Sequence, residues 1–487
     1  MRIPGKKIDK MDTNQTLFKA LKAYEQSDIY PFHMPGHKRR LAPAEAGDLY
    51  GMDITEIDGF DNLHEAEGIL KDAMDYAAQL YHSDETIFLV NGSTAGILSA
   101  IAGTCEDGGS IIAARNCHKS VYHAIELHHL QPIYIYPPVN TIYGINEGIY
   151  PLDVEKMWIT HQNIQAIVIT SPTYDGVVSD IGEICRIAHE KGVPVIVDEA
   201  HGAHFNFSDY FPESAVSCGA DIVIQSTHKT LPALTQTALI HLNGPLIDRE
   251  RIRRMLTVYQ TSSPSYILMG SIDACLHMLG QKGDILYRRY TAELQKLREA
   301  IHECRHIHMP EPEDFPLENV KDYDRSKLVL SVRNTSMSGL QLHERLLYRY
   351  GIQMEMVSPD YVLAMTSVGD TSDGYLKLEK ALKQIDQEID RESDQKDLLR
   401  KSFPVADQKM SIYDAQWHKK ISCPLNQSCG CIAGDYIYLY PPGIPLITPG
   451  EIITEEIVET IEGWIAGSLH VSGIFRECNE YVIRIIE

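Results

Sequence analysis

The sequence predicts an α/β protein in which a mostly parallel sheet is covered by helices on both sides. Short apolar runs alternate with helical segments between residues 50 and 285. Each run is apolar on both of its faces, as strands in a doubly covered parallel sheet are. With 487 residues, the chain can also bury a large core and form two or more domains.

Seven of these runs are predicted strands, because polar residues, Gly or Pro bound each of them. They are Thr86–Val90, Ser110–Ala114, Pro132–Tyr136, Ala166–Thr170, Pro194–Val197, Asp221–Gln225 and Ala238–Leu242. Helices are expected between the strands, as in the segment Ala95–Ala102 that follows the first run.

The remaining segments divide the chain into four expected regions. Residues 1–50 form an N-terminal arm with one helix at about Gln15 to Gln26. The large α/β domain spans residues 51–285, a small α+β domain spans 286–385, and a C-terminal α+β unit spans 386–487.

Individual elements support the later boundaries. A polar helix from about Asp284 to Cys304 is expected to leave the large domain. Strands are expected at Lys327–Val332 and Tyr361–Met365, and the charged segment Asp386–Lys401 predicts an exposed helix or linker. Asp435–Gly443 is predicted to be a strand that runs into a turn.

Composition narrows the class of function. The net charge is −23, from 44 Lys and Arg against 67 Asp and Glu, which argues against general nucleic-acid binding and mildly favours a cationic substrate. No signal peptide and no apolar run long enough for a membrane helix is visible. The ten cysteines lack the paired spacing of a zinc site or a disulfide framework, so we expect no metal and a cytoplasmic protein.

The first candidate for chemistry is Lys229, in the segment Ser226-Thr-His-Lys229 just past a predicted strand. Ligands of open α/β sheets bind outside the carboxyl ends of the strands. A lysine placed there can form an imine with a carbonyl cofactor once its amine loses a proton. Taken alone, Lys229 would more often be a surface lysine in a loop.

Asp198 ends the preceding strand and is expected at the same edge of the sheet. A carboxylate beside the ring nitrogen of pyridoxal phosphate (PLP) keeps that nitrogen protonated. The protonated ring then accepts electrons from the substrate Cα. The alternative for Asp198 is a helix N-cap. Ala200 is small enough to lie against the ring, and Glu199 is expected to be structural.

Two further segments follow strands in the same domain. Gly92, Ser93 and Thr94 precede a predicted helix, where backbone amides and hydroxyls form a cup for a phosphate dianion. His118 follows the next strand and could stack on the PLP ring. The plain alternatives are an ordinary N-cap and a hydrogen-bonded loop histidine.

Together these residues resemble one family, the PLP-dependent ornithine/lysine/arginine decarboxylases of bacterial type. That family has the aspartate-aminotransferase fold (fold type I). The matching blocks run nearly end to end and are Pro31-Phe-His-Met-Pro-Gly-His-Lys38, Asn91-Gly-Ser-Thr94, Arg115-Asn-Cys-His-Lys-Ser120, Ser171-Pro-Thr-Tyr-Asp-Gly176, Val197-Asp-Glu-Ala-His-Gly202, Ser226-Thr-His-Lys229, Ser263-Pro-Ser-Tyr266, Tyr440-Pro-Pro-Gly-Ile-Pro445 and Pro449-Gly-Glu451.

The resemblance implies roles for particular residues. Lys229 is similar to the Schiff-base lysine, and Asp198 to the partner of the pyridine nitrogen. His118 resembles the stacking residue. The residues expected around the phosphate are Ser93, Thr94, Ser226 and His228.

The resemblance also implies shared active sites between two subunits. Ser263, in the block Ser263-Pro-Ser-Tyr266, is expected to reach the cofactor of the partner subunit, so a homodimer or higher homo-oligomer is expected. Because the Pro31–Lys38 block comes close to the start of the sequence, we expect the chain to lack the receiver-like N-terminal domain of the large family members and to resemble the short form. Where the large forms have a tryptophan, this chain has His201, which we include among the cofactor-binding residues.

The expected reaction is decarboxylation of arginine, lysine or ornithine to a polyamine-pathway amine. Lys229 and His228 are both candidates to return a proton to Cα. Glu451, with Ser262, is expected to hold the distal cation of the substrate, although Glu451 could instead lie in the first turn of a helix. The alternatives are a PLP-dependent aminotransferase or other lyase, and a PLP-binding regulator without catalysis.

Overall fold

A computed structural model describes residues 28, 30–32, 56, 60–316, 320–389, 404–440, 443–467, 469–477 and 480–487. The expected N-terminal helix lies outside the described residues. So do most of the Pro31–Lys38 block and residues 390–401 of the predicted linker.

The strands of the described chain follow in sequence order. They are β1 (Tyr30–Phe32), β2 (Glu85–Leu89), β3 (Ser110–Ala114), β4 (Gln131–Ile135), β5 (Ile164–Thr170), β6 (Val177–Val178), β7 (Val195–Asp198), β8 (Ile222–Gln225), β9 (Ala238–Leu242), β10 (Asp322–Tyr323), β11 (Lys327–Ser331), β12 (Ile352–Met354), β13 (Met356–Val357), β14 (Tyr361–Met365), β15 (Lys420–Pro424), β16 (Ile437–Leu439), β17 (Pro445–Ile447), β18 (Val471–Ser472), β19 (Ile474–Glu477) and β20 (Glu480–Ile486).

The α-helices of the described chain lie mostly between these strands. They span Ile69–Tyr81, Gly92–Thr104, Lys119–Leu127, Pro151–Thr160, Ile181–His189, Thr227–Thr230, Arg249–Tyr259, Tyr266–His302, Gly339–Glu344, Ser372–Asp386, Ile412–Trp417 and Glu455–Ala466. Among the described residues, no helix is both long enough and apolar enough to cross a lipid bilayer.

The main sheet has seven strands in the order β2-β9-β8-β7-β5-β3-β4. The strands from β8 through β4 run parallel, and only β9 pairs antiparallel with both of its neighbours. Every residue of β7 and β8 is buried. The predicted class, a mostly parallel sheet covered by helices, is confirmed, and each of the seven strands predicted for this sheet is present within two residues of its expected bounds.

The register of the central strands sets the position of the site. Thr170 of β5 is level with Asp198 of β7, and Asp198 is level with Ile224 of β8. The carboxyl ends of three parallel strands therefore lie side by side. The one-turn helix Thr227–Thr230 begins immediately beyond β8.

One long helix crosses the expected boundary between the large and small domains. The sequence predicts a polar helix from about Asp284, but the helix begins at Tyr266 and continues to His302 over 37 residues. Its first turns carry buried apolar residues such as Met269 and Ile272, which belong to the main core. The expected boundary at residue 285 thus falls inside a continuous helix.

The later segments form smaller sheets beside the main one. The strands expected at Lys327–Val332 and Tyr361–Met365 are present as β11 and β14, which pair antiparallel, and β13 pairs with the other side of β14. The C-terminal unit has its own hydrophobic cluster, drawn from residues between Cys423 and Ile485. Its predicted strand at Asp435–Gly443 is shorter than expected, because β16 ends at Leu439 before the turn.

Candidate active site

Asp198 and Lys229 lie at neighbouring positions on the carboxyl edge of the main sheet. Asp198 is the last residue of β7, and Lys229 lies four residues past the end of β8. The Asp198 carboxylate is buried, and its Oδ1 accepts a hydrogen bond from the Ala200 amide at 3.1 Å. The residues directly after Asp198, from 199 to 204, are not helical, so the alternative role of Asp198 as a helix N-cap does not apply.

The two side chains influence each other electrostatically. Burial raises the pKa of Asp198, and the Lys229 ammonium acts against that rise. Burial lowers the pKa of Lys229, while the carboxylates of Asp198 and Glu355 act to raise it. The site therefore combines an amine that loses its proton more readily than usual with a carboxylate close enough to interact with a cation.

Ser93 and Ser226 form a pair of hydroxyls beside this edge. Their Oγ atoms lie 2.6 Å apart, although the residues are 133 positions apart in the chain. Gly92 begins the helix Gly92–Thr104 with a φ of 73°, a conformation that favours glycine. Asn91 does not cap this helix with its side chain. The first-turn amides and the two hydroxyls thus form a set of donors suited to an anion, and Thr94 lies exposed next to them.

His118 follows β3 and lies directly before the helix Lys119–Leu127. Its Nδ1 accepts a hydrogen bond from the Ser120 amide at 3.3 Å, so it caps this helix. Burial, with the charge of Lys229, lowers the pKa of His118 to about 3. A neutral imidazole that is held by one nitrogen presents an uncharged face, which suits a stacking contact.

His228 and His201 flank Lys229. The Nδ1 atom of His228 donates to the Thr237 carbonyl at 2.9 Å, because a carbonyl can only accept. His201 is buried, and its Nε2 lies 3.0 Å from Lys229 Nζ. The phosphate role expected for His228 and the cofactor role expected for His201 stay predictions.

Ser262 and Ser263 are exposed at the surface of this subunit. The preceding residue, Thr261, donates its amide to Asn91 Oδ1 at 3.3 Å, next to the anion-binding cup. The expected contribution of this segment to a partner subunit stays a prediction.

The expectation that Glu451 holds the substrate cation does not agree with its surroundings. Its Oε2 lies 3.0 Å from the Arg115 guanidinium, and both side chains are about 1% exposed. Oε2 also accepts the Thr448 amide at 2.6 Å. The expected helix begins only at Glu455, so the alternative role in its first turn is wrong as well. Glu451 is an internal counter-ion for Arg115, because an unpaired buried guanidinium would be too costly.

Three residues near Lys229 were not predicted from the sequence. Lys327 at the start of β11 places its Nζ 2.7 Å from His201 Nδ1. Tyr174 packs edge-to-face on the His201 ring at 4.7 Å and donates to Glu355 Oε1 at 2.6 Å. A lysine opening an apolar strand, and the Ser171–Gly176 block, were the available signals.

The residues at this edge fit a cofactor that joins an aldehyde, a pyridine ring and a phosphate. Lys229 supplies an amine for the aldehyde, and Asp198 supplies a carboxylate for the ring nitrogen. Ser93, Ser226 and the first-turn amides of the helix Gly92–Thr104 supply neutral donors for the phosphate. Each part of such a group has a chemically matched partner.

Comparisons with known proteins identify the family of this chain. Residues 15–322 match the family model for the major domain of Orn/Lys/Arg decarboxylases. The chain is 31% identical to an arginine decarboxylase of Bacillus subtilis over 480 residues, covering 97% of each chain. It is also 31% identical to an arginine decarboxylase of Bacillus anthracis, covering 94% of each.

A solved structure shows the same fold at lower sequence identity. The constitutive lysine decarboxylase of Escherichia coli superimposes with a TM-score of 0.77 at 21% identity, covering 96% of this chain and 81% of that one. The family match covers well over half of the chain. The chain therefore belongs to the Orn/Lys/Arg decarboxylase family, whose members are PLP-dependent amino-acid decarboxylases of the aspartate-aminotransferase fold (fold type I).

Proposed function

We propose that this protein decarboxylates arginine, with PLP bound through Lys229. The observation that carries the proposal is the convergence of Lys229, Asp198 and the Ser93–Ser226 hydroxyl pair at one edge of the sheet. The choice of arginine is supported by relatives of similar length that are named arginine decarboxylases. The acidic balance of the chain, with a net charge of −23, favours a cationic substrate over an acidic one.

When bound, PLP supplies an aldehyde that holds the substrate amine and a cationic ring that withdraws electrons from the substrate Cα. Asp198 keeps the ring nitrogen protonated, because its carboxylate favours the charged form. The buried position of Asp198 strengthens this interaction, since little water competes for the carboxylate. The residues of the site thereby make loss of CO₂ from Cα favourable.

The reaction also needs a proton for Cα once CO₂ has left. Lys229 and His228 are the proposed donors, because both lie in the one-turn helix beyond β8. His118, with its neutral ring, holds the face of the cofactor in this proposal. Ala200 is small and buried, and we propose that it would lie against one face of the ring.

We also propose a homodimer or higher homo-oligomer, in which Ser262 and Ser263 contribute to the partner's site. Both serines are exposed. They directly follow Thr261, whose amide donates a hydrogen bond to Asn91, next to the anion-binding cup of the same subunit. The amine that the reaction releases is proposed to enter polyamine synthesis.

The proposal is tested by incubating purified protein and PLP separately with arginine, lysine and ornithine. Released CO₂ and the product amine are both measured. We expect stoichiometric CO₂ and amine, with the largest kcat/KM for arginine. A keto acid product would identify an aminotransferase instead. PLP binding without turnover on any of the three substrates would favour a non-catalytic regulator.

A further inference from the structure

Lys327 is a fully buried lysine that the proposed reaction does not use. It opens β11 in the small domain, and its relative exposure is 0%. Its Nζ reaches across to His201 Nδ1 at 2.7 Å, and His201 Nε2 lies 3.0 Å from Lys229 Nζ. One imidazole ring thus bridges two lysine amines, only one of which has a proposed function.

The surroundings of Lys327 favour its charged form. Burial raises the pKa of Asp175 to about 6, although the positive charge of Lys327 acts against that rise. The pKa of a second carboxylate, Asp324, is lowered despite its burial, because His204 and the charge of Lys327 both favour the carboxylate form. Its Nζ also lies 5.9 Å from the centre of the Tyr174 ring, a distance at which a cation is attracted to an aromatic face. Two carboxylates and an aromatic face therefore compensate the ammonium group for the loss of water.

A charged Lys327 determines which nitrogen of His201 carries the proton. An ammonium group has donors only, so Nδ1 of His201 must accept from Lys327. Burial and the nearby Lys327 ammonium lower the pKa of His201 well below its usual value, so the ring is neutral. Its one hydrogen is then on Nε2 and points to Lys229 Nζ. That bond requires a lone pair on Lys229, which exists only in the neutral amine.

The Ser171–Gly176 block holds this arrangement in place. The Tyr174 ring packs edge-to-face on His201 with 4.7 Å between ring centres. Gly176 has a φ of 106°, and a Cβ atom built there would lie 2.9 Å from Lys327 Cγ. The glycine therefore leaves the space through which the Lys327 side chain passes to His201.

We propose that Lys327 is a positioning residue, which fixes the Nε2–H tautomer of His201 and through that ring keeps the Lys229 amine neutral and nucleophilic. Other groups also face Lys229. Asp198 and Glu355 favour its charged form, whereas His118 and His228 lie close enough to affect the same cluster. In this proposal Lys327, acting through His201, counteracts the effect of these two carboxylates on the Lys229 amine. The inference rests on the proposed function, because a neutral Lys229 is what capture of an aldehyde requires.

The first test measures the Lys229 amine itself, without substrate. Full-length protein is freed of cofactor with hydroxylamine and labelled with acetic anhydride over a range of pH. Mass spectrometry then quantifies the label on Lys229. In Lys327→Met we expect the apparent pKa of Lys229 to rise by at least about one unit, which means about tenfold slower labelling near neutral pH. Lys321→Met is the matched control, since Lys321 is 62% exposed and should leave the titration unchanged.

The second test needs no variant and so does not depend on Lys327→Met folding. Nitrogen-15 NMR of histidine-labelled wild-type protein without cofactor should show His201 protonated on Nε2 and neutral. A hydrogen on Nδ1, or an unchanged Lys229 titration in folded Lys327→Met, would overturn the proposal. Failure of the proposed function would look different, because the amine would titrate as expected while no substrate released CO₂.

Discussion

At the scale of single residues, the chemistry of Asp198 and Lys229 depends on where their strands end. Asp198 ends one buried strand and Lys229 follows the neighbouring strand, and the two strands are level with each other, so a carboxylate and an amine meet at one edge of the sheet. This pairing could be predicted from the sequence, because polar residues after buried strands of a parallel sheet share an edge. The position of Lys327 could not be predicted, because β11 lies outside the main sheet and the contact of Lys327 with His201 depends on tertiary packing.

The Asp198→Asn variant should fold and retain PLP but lose turnover. Asparagine keeps the shape of the side chain yet cannot favour a protonated ring nitrogen. We expect a loss of several orders of magnitude in kcat, comparable with the roughly 10⁴-fold effect of an Asp→Asn change beside a catalytic imidazole in another enzyme class. Steady-state kinetics and the visible spectrum measure the two effects separately. Asp209→Asn, at an exposed position, is the control and should leave kcat unchanged. A near-normal kcat in Asp198→Asn would show that Asp198 does not have this role.

At the scale of elements, the strands of the main sheet were predicted well and the long helix was not. Each strand is a short apolar run with polar ends, which is a local signal. The start of the helix Tyr266–His302 was missed because its first turns are buried and apolar, whereas the sequence pattern becomes polar only near Asp284. Periodicity indicates that a helix is present more reliably than it indicates where the helix enters a core.

In the turn at Gly176, the glycine both allows a positive φ and leaves space for the Lys327 side chain. In Gly176→Ala the backbone would hold alanine at a φ of 106°, and the new Cβ would press on Lys327 Cγ. Gly192→Ala is the matched control, because Gly192 also has a positive φ, 69°, but no atom within 4 Å of the added Cβ. A residue other than glycine in a left-handed conformation costs roughly 1–2 kcal/mol of stability. Thermal unfolding should show that Gly176→Ala lowers the free energy of unfolding by clearly more than this. If Gly176→Ala and Gly192→Ala lower the free energy of unfolding equally, the added contact with Lys327 does not affect stability.

At the scale of the whole molecule, Arg115 joins the C-terminal unit to the carboxyl edge of the main sheet. Its guanidinium donates to the Pro445 carbonyl at 2.7 Å and to Glu451 Oε2 at 3.0 Å. In addition, the Lys119 amide donates to the Gly443 carbonyl at 3.2 Å, directly after His118. The family resemblance suggested that Glu451 has a function, but only the three-dimensional structure shows that its partner is Arg115.

Replacing Glu451 should therefore affect stability more than substrate affinity. Glu451→Gln leaves Arg115 buried without its counter-ion, and breaking such a pair typically costs about 3–5 kcal/mol. Thermal and urea unfolding should show this loss, whereas Glu459→Gln, at an exposed position of the same unit, should change little. Adding Arg115→Met to Glu451→Gln should restore part of the stability. If Glu451→Gln is as stable as the wild type but has a KM raised at least about tenfold, the assignment to a substrate cation would be correct after all.

The central claim is that Lys229 carries the cofactor, and chemical trapping tests it most directly. Purified protein with PLP is reduced with borohydride, digested and examined by mass spectrometry, with Lys229→Ala and Lys321→Ala treated in parallel. We predict that the phosphopyridoxyl group is found on Lys229 alone, and that Lys229→Ala loses the visible absorbance band and turnover while Lys321→Ala retains both. A label on another lysine, or full turnover in Lys229→Ala, would contradict the account.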